Sequence, residues 1–255
     1  MKKVPTLLFF CFLCATAVVA QYNSETISFK ADSLLAKDNY GYFYFLKNNS
    51  LLKTNFVTPQ EYQNTVLGKP TALDVQNPLQ LVVFYKKFNT VVLLDNQLNE
   101  TVTINGNLYN LVFETVGLAR QNNIWFYDSV SQKFGLFNFK ENTVNFISTS
   151  YVTSFKTSFC NYNNFYWITT DYVMFTLSFY GKISMVKQIP SFEAACFVSE
   201  KKYVLKSNEN ITYYNEGTVI NLNLLVNSSS NFCFNNSILS IFTDNSVTNY
   251  KINLP

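Results

Sequence analysis

The sequence predicts an all-β fold, a β-propeller of six blades with about four antiparallel strands each and an N-terminal strand closing the last blade. Three observations predict it. A meander of short strands recurs about every forty residues, three cysteines fall at near-equal intervals, and aromatic residues reach 17% of the chain against 14% charged.

The repeat is read from its turns. Polar turns open successive copies at Asn39, Asn77, Asn122, Asn163, Lys201 and Asn235, spaced by 38, 45, 41, 38 and 34 residues. Periods of this size indicate a propeller or a solenoid. Within a copy, as in FYWITTDYVMFTLSFYGKISMV, short runs rich in Val, Ile, Phe and Tyr alternate with Asn, Asp, Lys or Gly turns, which is the pattern of successive hairpins. Four such strands make a blade. Apolar spacing by three and four is not sustained, so the reading admits one short helix at most, around Pro59 to Thr65. A parallel β-helix, the competing architecture, has shorter and Gly-richer coils, whereas this chain has seven glycines.

The ends and the cysteines fit the same plan. The last copy stops after about three strands at Leu254 and Pro255, and the spare segment ETISFK, Glu25 to Lys30, precedes the first copy. Pairing the two removes an open sheet edge. Cys160, Cys196 and Cys233 are 36 and 37 residues apart, which suggests one structural position repeated. Their odd number allows one disulfide and a free thiol, or three buried thiols acting as small apolar groups.

Residues 1–20 read as a secretory signal peptide: Lys2 and Lys3, an apolar run from Leu7 to Val19, then Ala20. Val18-x-Ala20 places the cut before Gln21, with Ala15-x-Ala17 as the competing site. The apolar run is shorter than the roughly 20 residues a membrane span needs. The expectation is therefore a periplasmic or secreted protein, residues 21–255 forming a single propeller domain, monomeric and without a stable membrane span after processing. Loss of two lysines lowers the net charge from +3 to +1, which gives no electrostatic footprint for nucleic acid.

The chemistry is largely negative. With no histidine in the chain, Ser-His-Asp and Cys-His triads and histidine-ligated metals are excluded. There is no Gly-rich phosphate loop and no CxxC pair, so no cofactor and no metal is expected. Carboxylates remain: Asp74, Glu114, Asp128, Asp171, Glu193 and Asp244 recur at roughly matching phases of different copies. A glycosidase needs only two carboxylates, and calcium needs several oxygens converging on one point. Aromatic pairs such as Tyr42 and Tyr44, Trp125 and Tyr127, and Tyr166 and Trp167 are read mainly as packing between blades. Their remaining faces suit stacking on sugars or peptides.

The least degenerate stretch runs from Asn77 to Glu100. Strands over Leu79 to Tyr85 and Thr90 to Leu94 are joined by Lys86 to Asn89 and followed by a turn over Asp95 to Asn99, where Asn and Asp side chains bond nearby backbone groups. The candidate binding residues are Tyr85, Lys86, Asn89, Asp95 and the sole arginine, Arg120. Through Phe84-Tyr85, Phe88-Asn89-Thr90, Leu94-Asp95-Asn96 and Leu98-Asn99-Glu100, the stretch resembles a group of uncharacterised exported bacterial proteins with propeller-like repeats. The resemblance implies a propeller in the cell envelope and brings no activity. The Gly-His and Trp-Asp signatures of better-defined propeller families are missing.

The function expected is a non-enzymatic binding or scaffold propeller of the bacterial cell envelope, whose partner is a protein, peptide or glycan. The alternative is a carboxylate-dependent, calcium-assisted hydrolase or lyase acting on glycans or lactones.

Overall fold

The computed structural model describes residues 24–224, 226, 230–243 and 245–252; the expected leader, its expected cleavage site and Asp244 lie outside them. Six four-stranded antiparallel sheets form a ring. Blade 1 comprises Ser33–Lys37, Phe43–Lys47, Ser50–Thr54 and Gln60–Tyr62. Blade 2 comprises Ala72–Asp74, Leu81–Tyr85, Thr90–Leu94 and Glu100–Asn105. Blade 3 comprises Phe113–Leu118, Asn123–Asp128, Lys133–Asn138 and Thr143–Phe146. Blade 4 comprises Thr157–Cys160, Asn164–Ile168, Val173–Ser178 and Ile183–Gln188. Blade 5 comprises Ala194–Phe197, Lys202–Ser207, Asn210–Asn215 and Thr218–Asn221.

Blade 6 takes Asn231–Asn235, Ile238–Thr243 and Ser246–Lys251 from the end of the chain and Ser24–Ser28 from its start. The closing register runs from Ser24 opposite Tyr250 to Ser28 opposite Ser246. The expected closing strand is thus in place. It covers the row of backbone donors and acceptors that Ser246–Lys251 would otherwise present to another chain.

Blades hold together through large side chains on facing sheets. Val82, Phe84, Val91 and Leu93 of blade 2 pack with Phe113, Ile124 and Phe126 of blade 3. Trp125, Tyr127 and Phe134 of blade 3 pack with Phe165 and Trp167 of blade 4. Trp167 also stacks on Phe175 with ring centroids 5.3 Å apart. The aromatic richness of the chain is therefore mostly inter-blade filling, as expected of residues that bury large areas on pleated surfaces. Turn chemistry follows composition too. Of the sixteen non-glycine residues with positive φ among the described residues, nine are asparagine. Asn tolerates this left-handed backbone better than other non-glycine residues and takes the role that scarce glycine would otherwise fill.

One expectation is corrected. Pro59 to Thr65 forms no helix: Gln60–Tyr62 is the outer strand of blade 1, pairing Leu51 with Tyr62 and Lys53 with Gln60. Completion of the sheet outweighs local preference there. The helical turns among the described residues are instead the 3-10 segments Lys86–Phe88 and Gly106–Tyr109.

Candidate functional site

Antiparallel strands within a blade send the turns between first and second strands, and between third and fourth, to one end of the ring. Second-to-third turns and the links between blades emerge at the other. The first end carries all six opening turns, and cross-links tie neighbours there: Asn235 Nδ2 donates to Asn39 Oδ1 at 3.0 Å, and Arg120 Nη1 to Asn163 Oδ1 at 3.3 Å.

The five residues singled out from sequence divide between these ends. Tyr85 is buried between blades 1 and 2 beside Tyr62. Lys86 lies at the far end in an ion pair with Glu114. Asn89, also at the far end, has its amide committed. Its Nδ2 donates to Asn107 Oδ1 and to the Leu111 carbonyl at 2.9 and 2.6 Å, and its Oδ1 accepts from the Phe113 N–H at 2.8 Å. It pins the link from blade 2 to blade 3. Asp95 and Arg120 lie at the opening-turn end. The Arg120 guanidinium sits 4.1 Å from the centre of the Phe179 ring and 5.2 Å from that of Tyr180, bracing blade 3 against blade 4.

Asp95 opens the turn whose next two residues, Asn96 and Gln97, line a groove of about 340 Å³ between blades 1 and 2. Its Oδ1 accepts from the N–H groups of Gln97 and Asn99, both at 2.8 Å, and its Oδ2 from Asn99 Nδ2 at 3.0 Å. The Asn99 bonds hold this carboxyl below its ordinary range. The loop so shaped presents Asn96 and Gln97 to the groove, opposite Asn55, Thr58 and Gln60 of blade 1. Asp38 shapes the inner wall: its Oδ1 accepts from the N–H groups of Tyr40 and Tyr42, and its Oδ2 from the Tyr44 hydroxyl, each at 2.9 Å.

Lys53 lines the floor. It is 5% exposed, while Tyr40 on the rim is 72% exposed. Lys53 Nζ donates to the Asn96 carbonyl at 2.6 Å and lies 4.8 Å from the centre of the Tyr42 ring. Burial lowers its pKa, partly opposed by the negative charges of Asp38 and Asp95. Sequence reasoning missed Lys53. The signal was present in SLLKT, where alternation puts Lys53 on the same inward face as Leu51.

Along the axis, the first strands of all six blades surround a cavity of about 510 Å³. Cys160, Cys196 and Cys233 all line it, and all three are free thiols. Cys160 Sγ lies 3.3 Å from Asp74 Oδ2, and Cys196 Sγ accepts from the Phe234 N–H at 3.2 Å. Burial pushes all three thiols above their ordinary range, and for Cys160 the Asp74 charge adds to the effect. Gln76, at the same end as the groove, keeps both side-chain amide atoms buried without a hydrogen-bond partner among the described residues.

Four of the six recurring carboxylates are engaged separately. Asp74 reaches the cavity and accepts from the Leu118 N–H at 2.8 Å. Glu114 pairs with Lys86, Asp128 accepts from the N–H groups of Val112 and Ser131, and Glu193 accepts from the Asn208 N–H. Among the described residues no group of three or more acidic or cysteine side chains is placed to hold a metal ion.

No family model and no curated protein matches the chain. Solved structures do. A virginiamycin B lyase from Staphylococcus aureus, crystallised with quinupristin, superposes with a TM-score of 0.60 at 9% identity, covering 91% of this chain and 100% of that one. A member of the DUF4221 family from Bacteroides vulgatus gives 0.57 at 8% identity, covering 91% and 97%. PorZ, a surface component of the type-IX secretion system of Porphyromonas gingivalis, gives 0.52 at 8% identity, covering 92% of this chain and 39% of that one. The chain is similar to bacterial propellers in its whole architecture. At these identities the likeness is one of fold.

Proposed function

We propose that the chain is an exported, non-enzymatic binding propeller of the bacterial cell envelope, monomeric, which takes a protein, peptide or glycan partner at the end of the ring carrying the opening turns. The observation that carries this reading is the groove between blades 1 and 2: a buried lysine in its floor, amide side chains along its walls and the exposed Tyr40 on its rim. Pockets of this size, with a few convergent polar groups, are what ligand sites look like. Asp95 belongs to the site as the residue that shapes the Asn96–Gln97 loop, and Arg120 stands one blade further round on the same end. Export rests on the leader, and a mature N-terminus at Gln21 by mass spectrometry checks it.

The competing reading, a carboxylate-dependent hydrolase or lyase, has one residue in its favour: Asp74, in the axial cavity. A photo-cross-linking residue at position 40, with position 185 on the outer strand of blade 4 as control, separates the two. A specific adduct from position 40 alone supports the binding reading. No adduct, together with turnover of a glycan or lactone that Asp74→Asn abolishes, overturns it.

A further inference from the structure

We infer that the groove between blades 1 and 2 is a subsite for a neutral saccharide, with Lys53 donating to a ring or hydroxyl oxygen and Tyr40 stacking on a pyranose face. This rests on the binding reading above and names its ligand class.

The donor count points to a ligand. An ammonium carries three N–H donors, and among the described residues Lys53 Nζ meets one hydrogen-bond acceptor, the Asn96 carbonyl, and the face of the Tyr42 ring. The remaining donor capacity faces the groove, and a hydrogen bond from a charged donor to an entering acceptor is among the stronger ones a site can offer. The walls match a polyol. Gln60 Nε2 donates to Gln97 Oε1 at 2.8 Å, which orients the two amides and leaves the Gln60 carbonyl oxygen and the Gln97 amino group for a ligand. Side-chain amides donate and accept at once, as hydroxyl groups do. The rim supplies the apolar half of the recognition, since Tyr40 offers a π face with negative charge at its centre, against which the polarised C–H bonds of a sugar ring pack.

Charge selects the class. The groove is lined by one cation, Lys53, and one carboxylate, Asp38, so it carries no surplus positive charge to attract a uronate or an acidic peptide. A peptide adding as a strand would find only three residues of edge, Gln60–Tyr62.

The test is isothermal titration of the mature protein with tetramers of β-1,4-glucose, α-1,4-glucose and N-acetylglucosamine, with tetragalacturonate as the charged counterpart. At least one neutral tetramer binds at sub-millimolar affinity, and tetragalacturonate binds about tenfold more weakly or worse. Tyr40→Ala and Gln97→Ala each weaken that binding about tenfold or more with an unchanged melting temperature, because both side chains are on the surface. Absence of binding by all three neutral tetramers overturns the inference, as does undiminished binding in Tyr40→Ala or tighter binding of tetragalacturonate. If position 40 cross-links a protein or peptide while every saccharide fails, the binding reading stands and the saccharide falls. If both fail, both fall.

Discussion

Lys53 Nζ donates to the backbone carbonyl of Asn96 across 2.6 Å, so one buried cation joins the third strand of blade 1 to the outer turn of blade 2. The same cation lies against the ring of Tyr42, a residue whose backbone N–H donates to Asp38 Oδ1. Strand, turn and groove wall are therefore positioned by one another.

Replacing this cation separates binding from folding. Lys53→Met keeps an apolar stem of similar length and removes the donors. Asn96 is exposed, so its carbonyl is rehydrated and the loss of stability is limited to about 1 kcal/mol. Ligand affinity falls at least about tenfold, because the ligand loses its buried donor. Chemical denaturation and titration of the same preparation check the two halves; a large stability loss with unchanged affinity would make Lys53 a structural residue only.

Gly135 is fixed by its cross-strand partner. It sits opposite Phe126, and a Cβ at that position would lie 2.2 Å from the end of the Phe126 ring. The ring is buried and cannot move outward without opening the contact between blades 2 and 3. Gly135→Ala is expected to destabilise by about 1 to 3 kcal/mol, the usual cost of overpacking a core. Adding Phe126→Leu to Gly135→Ala recovers part of the loss, which a double-mutant cycle by urea denaturation measures.

Much of the ring was legible because its signals are local and repeated. The opening turns come from Asn39 to Asn235 in phase, and ETISFK is left without a neighbour until it meets Ser246–Lys251. The groove was not legible, because its parts are brought together across blades: Lys53 and Asn96 are 43 residues apart. Nor does spacing tell which end of a blade a residue occupies, and so Lys86 and Asn89 were grouped with Asp95 although a strand length separates them. The error at Pro59 to Thr65 has the same origin, since Gln60–Tyr62 becomes a strand only through the register it finds on Leu51–Lys53.

The thiols of the axial cavity are held protonated, and only a thiolate is an effective nucleophile. Alkylation of Cys160, Cys196 and Cys233 by iodoacetamide at about pH 8 is expected to be slow in the native protein and complete after unfolding. Asp74→Asn sharpens the prediction. It removes the charge that adds to burial at Cys160 while leaving an acceptor for the Leu118 N–H, so Cys160 alone reacts faster. Residue-resolved labelling by mass spectrometry reads this directly, and equal acceleration at all three cysteines would show a general loosening instead.

The buried tyrosines set the alkaline limit of the fold. Burial raises the pKa of Tyr44 and Tyr62 well above that of a free phenol, and hydrogen bonds to Asp38 and Glu100 reinforce the shift. In the unfolded chain the same groups ionise near pH 10. Because the folded values are the higher ones, the unfolded state binds fewer protons above that pH, and stability falls as pH rises. The contribution is whole below about pH 9 and declines steadily above about pH 10. Tyr44→Phe removes one such group, and it should lower stability at neutral pH through the bond lost to Asp38 while flattening the alkaline decline. Urea midpoints between about pH 8 and pH 11, followed together with tyrosinate absorbance, test both signs at once. An alkaline slope identical in wild type and Tyr44→Phe would remove Tyr44 from the linkage.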